Sequence, residues 1–138
     1  MQGVTFRRRH RMRGITAVVA SVAFVGGTAA ACGSSVSSSP AGVVTTLFSD
    51  IQANNCGASF AQLSSRLQGQ LQGRAGICPL VTQLARRYRN NKFHIDSVVT
   101  HGSEATVRAT RTNTNGTSVS NSIITVVDKN AWKVDSLA

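Results

Sequence analysis

The chain has 138 residues, and its 15 Lys and Arg against 5 Asp and Glu give a formal charge of +10. Five of those arginines stand within the first thirteen residues, so from residue 32 onward ten basic side chains face five acidic ones. That balance suits a surface near anionic lipid or wall polymer but does not mark a nucleic-acid binder, and no aromatic interleaves with a basic stripe. With no glycine-rich phosphate loop, nucleophile elbow or metal motif either, no cofactor is expected.

Arg7, Arg8, Arg9, Arg11 and Arg13 form a cationic block, residues 15–25 carry no charge, and the small residues 26–31 end at Cys32. Charged, apolar and small segments in that order are the pattern of an export signal. Residues 15–31 number 17, against about 20 needed to cross some 30 Å of hydrocarbon, so removal is expected rather than retention as a membrane helix. Consecutive arginines also admit a twin-arginine route, on a weak signal.

Two cleavage readings compete. Ala29-Ala30-Ala31 fits the A-x-A rule of ordinary secretion. Followed directly by Cys32, the same residues resemble the lipobox of bacterial lipoproteins, with Ala29 where that family usually has leucine. The resemblance implies that the Cys32 sulfur takes a diacylglyceryl group before the peptidase cuts in front of it. Ordinary secretion would leave an unpaired thiol at the new N-terminus, so the lipoprotein reading is preferred. It makes residues 1–31 a signal peptide and Cys32 the lipid attachment. The chain is then expected on the extracytoplasmic face of the cell membrane. Each buried methylene contributes about 0.8 kcal/mol, and two acyl chains hold firmly where one holds only marginally.

Residues 33–39 (Gly-Ser-Ser-Val-Ser-Ser-Ser) are a low-complexity stretch, and residues 32–40 read as a tether spanning ~15 Å. Residues 41–138 then form one domain. With Cys32 taken by lipid, Cys56 and Cys78 are left as an even pair, which in an exported chain reads as a disulfide. Two buried free thiols are the alternative. A metal site is less suited, because no His or acid lies at ligand spacing beside either cysteine.

Val43, Val44, Leu47, Phe48 and Ile51 form one helical stripe, stopped by Asn54-Asn55. Ser59 with Gln62 reads as a capping box opening a second helix, with Phe60, Leu63, Leu67 and Leu71 on one face. Gly69, Gly73 and Gly76 loosen and end it. Cys78-Pro79 is expected to start a third helix, with Leu80, Val81, Leu84 and Tyr88 as its buried stripe. A Cys56–Cys78 bridge would then pin the starts of the second and third helices together.

After Lys92 the period becomes two. Phe93, Ile95 and Val99 are expected on one face of a first strand, with a turn at His101-Gly102-Ser103. Ala105, Val107 and Ala109 alternate with Thr106, Arg108 and Thr110 in a second. Asn115-Gly116 signals a hairpin into a third strand with Val119, Ile123, Thr125 and Val127 on one side and Ile124 and Val126 on the other. Asp128-Lys129-Asn130 turns into a last strand holding Trp132 and Val134. The fold class is therefore α+β: three N-terminal helices packed on a curved four-stranded antiparallel meander.

Helices first, then a meander closing on Trp132-Lys133-Val134-Asp135-Ser136-Leu137, resembles the nuclear transport factor 2-like (cystatin-like) superfamily, and in particular its small actinobacterial lipoproteins, which often carry a cysteine pair across the helical half. The resemblance implies a curved sheet around a cone-shaped cavity and homodimerisation through the sheet's outer face. Some members are isomerases, cyclases or dehydratases, and many exported ones are binding domains.

Enzymatic members need acid–base groups inside the cone. The candidates are Asp50, Tyr88, His94, Asp96 and His101. By alternation His94 and Asp96 lie opposite Phe93 and Ile95, Tyr88 sits on an apolar stripe, and Asp50 falls off one and reads as surface. Arg86, Arg87, Arg89 and Lys92 read as a solvated basic face, with anionic headgroups or an acidic partner as the sharper reading. Trp132 reads as core, and Asn115-Gly116-Thr117 as a turn although it matches a glycosylation sequon. The expectation is a non-enzymatic lipoprotein binding a small apolar ligand or a protein partner at the cell surface, with no catalytic, cofactor or metal residue. The alternatives are a cyclase- or isomerase-like enzyme and a dimerising structural subunit.

Overall fold

The structure is a computed structural model, and it describes residues 39–137. The expected signal segment, Cys32 and most of the expected tether lie outside the described residues.

Four helices precede four strands: α1 (Pro40–Gln52), α2 (Cys56–Ala61), α3 (Ser65–Gln70), α4 (Gly73–Tyr88), β1 (Lys92–His101), β2 (Glu104–Thr112), β3 (Ser118–Asp128) and β4 (Ala131–Leu137). The strands form one antiparallel sheet in chain order, β1-β2-β3-β4. This is the α+β arrangement expected, with the helical half cut differently.

Ser39 opens α1 by accepting the Gly42 N–H at 3.0 Å, with Pro40 in the first turn where its missing N–H costs nothing. The predicted stripe is the buried one: Val43, Val44, Leu47 and Ile51. This helix touches all four strands and forms the floor of the core with Val107, Ala109, Ile123 and Val134.

The second expected helix divides in two. Asn55 caps α2 a turn before the predicted box by accepting the Ala58 N–H, so Ser59 lies inside the helix and is buried. Leu63 then leaves the helix and pairs in parallel with Val134: the Ser64 N–H donates to the Val134 carbonyl and the Val134 N–H to the Gln62 carbonyl, each at 2.8 Å. These residues cover the edge of β4, which would otherwise offer unpaired backbone groups. Ser64 is the cap of the second piece, its hydroxyl oxygen accepting the Leu67 N–H at 3.1 Å.

The third expected helix starts five residues early. Gln72 (φ 57°) and Gly73 (φ 70°) reverse the chain after α3, and α4 begins there. Cys78 and Pro79 are thus inside α4 rather than at its start. The proline is tolerated because it and Ala75, whose carbonyl it leaves without an N–H partner, both lie on an exposed face. Cys56 at the start of α2 is joined to Cys78 with Cα atoms 5.1 Å apart. Gln52 Nε2 meets the end of α4, donating to the Tyr88 carbonyl at 2.9 Å and to the Asn91 carbonyl just beyond the helix at 2.8 Å.

In the sheet, Ala105, Val107 and Ala109 face the core as their alternation predicts. Two register shifts interrupt it, between Ile95 and Ser97 on β1 and between Ile124 and Thr125 opposite Val134 and Ser136 on β4. The extra residue is an aspartate each time, Asp96 and Asp135, and such bulges bend a sheet. The first one overturns an expectation: beyond Asp96 the parity reverses, so Val98 pairs Val107 on the core side while Val99, 52% exposed, pairs Thr106 on the outer side. The turns fall where expected, with positive φ at Gly102, at Gly116 and at Lys129-Asn130.

Candidate functional site

The close packing of α4 is against the other three helices, and α1 carries the helical layer onto the sheet. Where α4 stands away from the strands, two adjoining apolar cavities open. One, of about 380 Å³, is bounded by Phe48, Leu84 and Tyr88 of the helices and by Phe93, Ala109, Arg111, Asn121 and Ile123 of the sheet. The second, of about 300 Å³, runs under Leu47, Leu63, Leu67, Ile77 and Val81 to a rim at Arg66 and Asp135. Ile51, Leu80, Leu84 and Leu137 line both. Leu80 and Leu137 are 38% and 52% exposed, so these two side chains mark the mouth.

An aromatic stack builds one wall. Phe48 of α1 lies on Phe93 of β1 with centroids 4.0 Å apart and planes 13° from parallel, and Tyr88 meets Phe93 edge-on at 6.1 Å. The Arg111 guanidinium sits 4.5 Å from the Tyr88 ring centroid, a cation–π arrangement. Arg111 reaches the cavity because it continues the 105, 107, 109 parity of β2, opposite Phe93 and Val119. Asn121 does so by the same rule on β3, opposite Ala109.

At the rim of the smaller cavity Asp135 is 14% exposed in its side chain and held by three groups. The Ser64 hydroxyl donates to Oδ1, and Arg66 Nε donates to both carboxylate oxygens at 3.1 and 3.0 Å. Arg66 Nη2 adds a bond to the Asp135 carbonyl at 2.6 Å. Arg66 chiefly, and Ser64 after it, hold this carboxyl below its ordinary range despite its burial. Deeper in, the Ser59 hydroxyl is fully buried, lines the cavity and has no partner among the described residues.

The residues singled out by sequence do not meet. His94 and His101 are exposed on the sheet, and Asp96 accepts the Thr110 hydroxyl at 2.7 Å on the outer face. Asp50 is half-buried rather than on the surface: burial raises its carboxyl above the usual range against an opposing Gln62 hydrogen bond. It lines neither apolar cavity. Tyr88 alone of the five presents its ring to a cavity. Arg86 and Arg89 are exposed beside Gln52 and Asn54 around a small polar hollow of about 220 Å³. Trp132 packs half-buried against the core, and Asn115 accepts the Thr117 N–H at 3.0 Å in its turn. Arg111 and Asn121, unremarked in the sequence, were findable by extending the strand alternation two residues past Ala109 and Ile123 to either side.

Among the described residues no helix is long and apolar enough to cross a membrane. No family model matches the chain, and no curated protein matches it. Solved structures do. An NTF2-like protein of Campylobacter jejuni, provisionally named a transpeptidase, superposes with a TM-score of 0.55 at 13% identity, over 71% of this chain and 99% of that one. A chain named "Rd1NTF2_04 with long sheet" gives 0.52 at 14%, over 72% and 97%. The fold is therefore NTF2-like.

Proposed function

We propose that this chain is an exported lipoprotein, held at the outer face of the cell membrane through a diacylglyceryl group on Cys32, whose domain binds small apolar ligands without catalysing a reaction. The observation that supports binding is the pair of adjoining apolar cavities, of about 380 and 300 Å³, between α4 and the sheet. They fall at the small end of the size range usual for small-molecule sites, mostly apolar with a few placed polar groups. The absence of catalysis is inferred from where the acid–base groups lie. A general base needs a carboxylate or imidazole that takes up a proton near neutrality. Asp135, at the rim, is pushed the other way by Arg66. His94, Asp96 and His101 line neither apolar cavity, and in the larger cavity the titratable groups are a phenol and a guanidinium.

The test is native mass spectrometry of the full chain purified from its own membrane. A bound small apolar compound is expected, released by organic solvent and lost in Leu84→Trp, which fills the space the two cavities share. Protein that carries nothing but its acyl chains, in the original and the variant alike, would refute the reading.

A further inference from the structure

Resting on the binding role just proposed, we infer that the larger cavity selects a carboxylate: a compact apolar body against Phe48, Leu84 and Phe93, with its anionic end on Arg111. The chain supplies a cation there, and among the described residues no charge answers it. Arg111 is only partly exposed, and it faces the apolar side of the sheet. Its described companion is the Tyr88 ring, 4.5 Å away. None of the five acids outside residues 1–31 pairs with it. Asp135 is taken by Arg66 and Ser64, Asp128 accepts the Ser65 N–H, Asp96 accepts the Thr110 hydroxyl, Asp50 bonds Gln62, and Glu104 sits exposed at the far end of β2.

A charge moved towards an apolar space is costly unless a counter-charge meets it. The guanidinium carries five N–H donors in one plane, matched to the two oxygens of a carboxylate. The contact with the Tyr88 ring favours this placement of the guanidinium, which lowers the ordering left for the ligand to impose. A carboxylate with a short apolar body would complete the site at both ends, burying its carbon skeleton on the aromatic stack and its charge on Arg111. A neutral amide of the same shape would bury the skeleton and accept a hydrogen bond through its carbonyl, without the ion pair.

The experiment is equilibrium dialysis of 4-phenylbutyrate and of its neutral isostere 4-phenylbutyramide against the full chain in lipid nanodiscs, with empty nanodiscs subtracted. The carboxylate is expected to bind about tenfold more tightly or better, the size of one charge-assisted hydrogen-bond pair. Arg111→Gln should abolish that preference, bringing the affinity of the carboxylate down to that of the amide. Equal affinity of the two compounds for the unaltered chain overturns the inference without any variant, and leaves the apolar-binding role standing. Binding of neither compound overturns both. A preference that survives intact in a folded Arg111→Gln chain assigns the anion to another site and also overturns it.

Discussion

The Arg66 side chain wraps Asp135, donating through Nε to both carboxylate oxygens and through Nη2 to the carbonyl of the same residue. Asp135 is the extra residue of the β4 bulge and Arg66 lies in the first turn of α3, so this pair ties a six-residue helix to the edge of the sheet. A second acid repeats the idea: Asp128, at the end of β3, accepts the Ser65 N–H at 2.6 Å.

These two acids contribute to the acid limb of stability. Arg66 lowers Asp135, and the Ser65 N–H lowers Asp128, so below neutrality the unfolded chain takes up their protons before the folded one does. The stability they contribute is complete above the ordinary carboxylate range, near pH 4, and is lost as pH falls through their lower folded values. Asp50 runs in the opposite sense, because burial raises it: its contribution favours the folded state at low pH and declines as pH rises through the ordinary range. Urea melts across the acid range should show a net fall in stability on acidification. Asp135→Asn should flatten that fall and cost about 1 kcal/mol near neutrality, allowing for the solvent around Arg66. An unchanged slope in the variant would contradict the assignment.

Gly76 and Gly69 should respond to alanine with opposite signs. A Cβ at Gly76 would lie 1.9 Å from the Leu71 carbonyl oxygen, so the turn between α3 and α4 must move, at about 1–3 kcal/mol. At Gly69, inside α3, a Cβ meets nothing within 4 Å, and Gly69→Ala should stabilise by roughly 0.5–1 kcal/mol through helix propensity. Thermal melts of both variants read this directly.

The Cys56–Cys78 link closes a separation of 22 residues and joins α2 to the middle of α4. Reduction should add two daltons to the intact mass and lower stability by roughly 3 kcal/mol, the entropy of closing a loop of that length. It should also loosen the wall of the smaller cavity, since Ile77, Leu80 and Val81 stand next to the bridge in α4. No change in the melting transition with reductant would show that the bridge does not constrain the fold.

Cys32→Ala should leave the chain without acyl mass and move it from the detergent phase to the aqueous phase. If the variant partitions as the original does, the anchor lies elsewhere.

The first helix, the four strands and their turns were local properties, and the sequence alone carried them. The α1 stripe, the alternation in β2 and β3, and the turns at Gly102, Asn115-Gly116 and Lys129-Asn130 each depend on neighbours a few residues away, so their periods and backbone preferences are written in order along the chain. What tertiary structure decided was every feature made by distant partners. Leu63 leaves its helix because Val134 offers an edge to pair with, and Asp96 and Asp135 become bulge residues only against their partner strands. Arg111 becomes a cavity residue because α4 rests on other helices and stands off the sheet, leaving a guanidinium, an aromatic stack and an apolar space together that no short stretch of sequence contains.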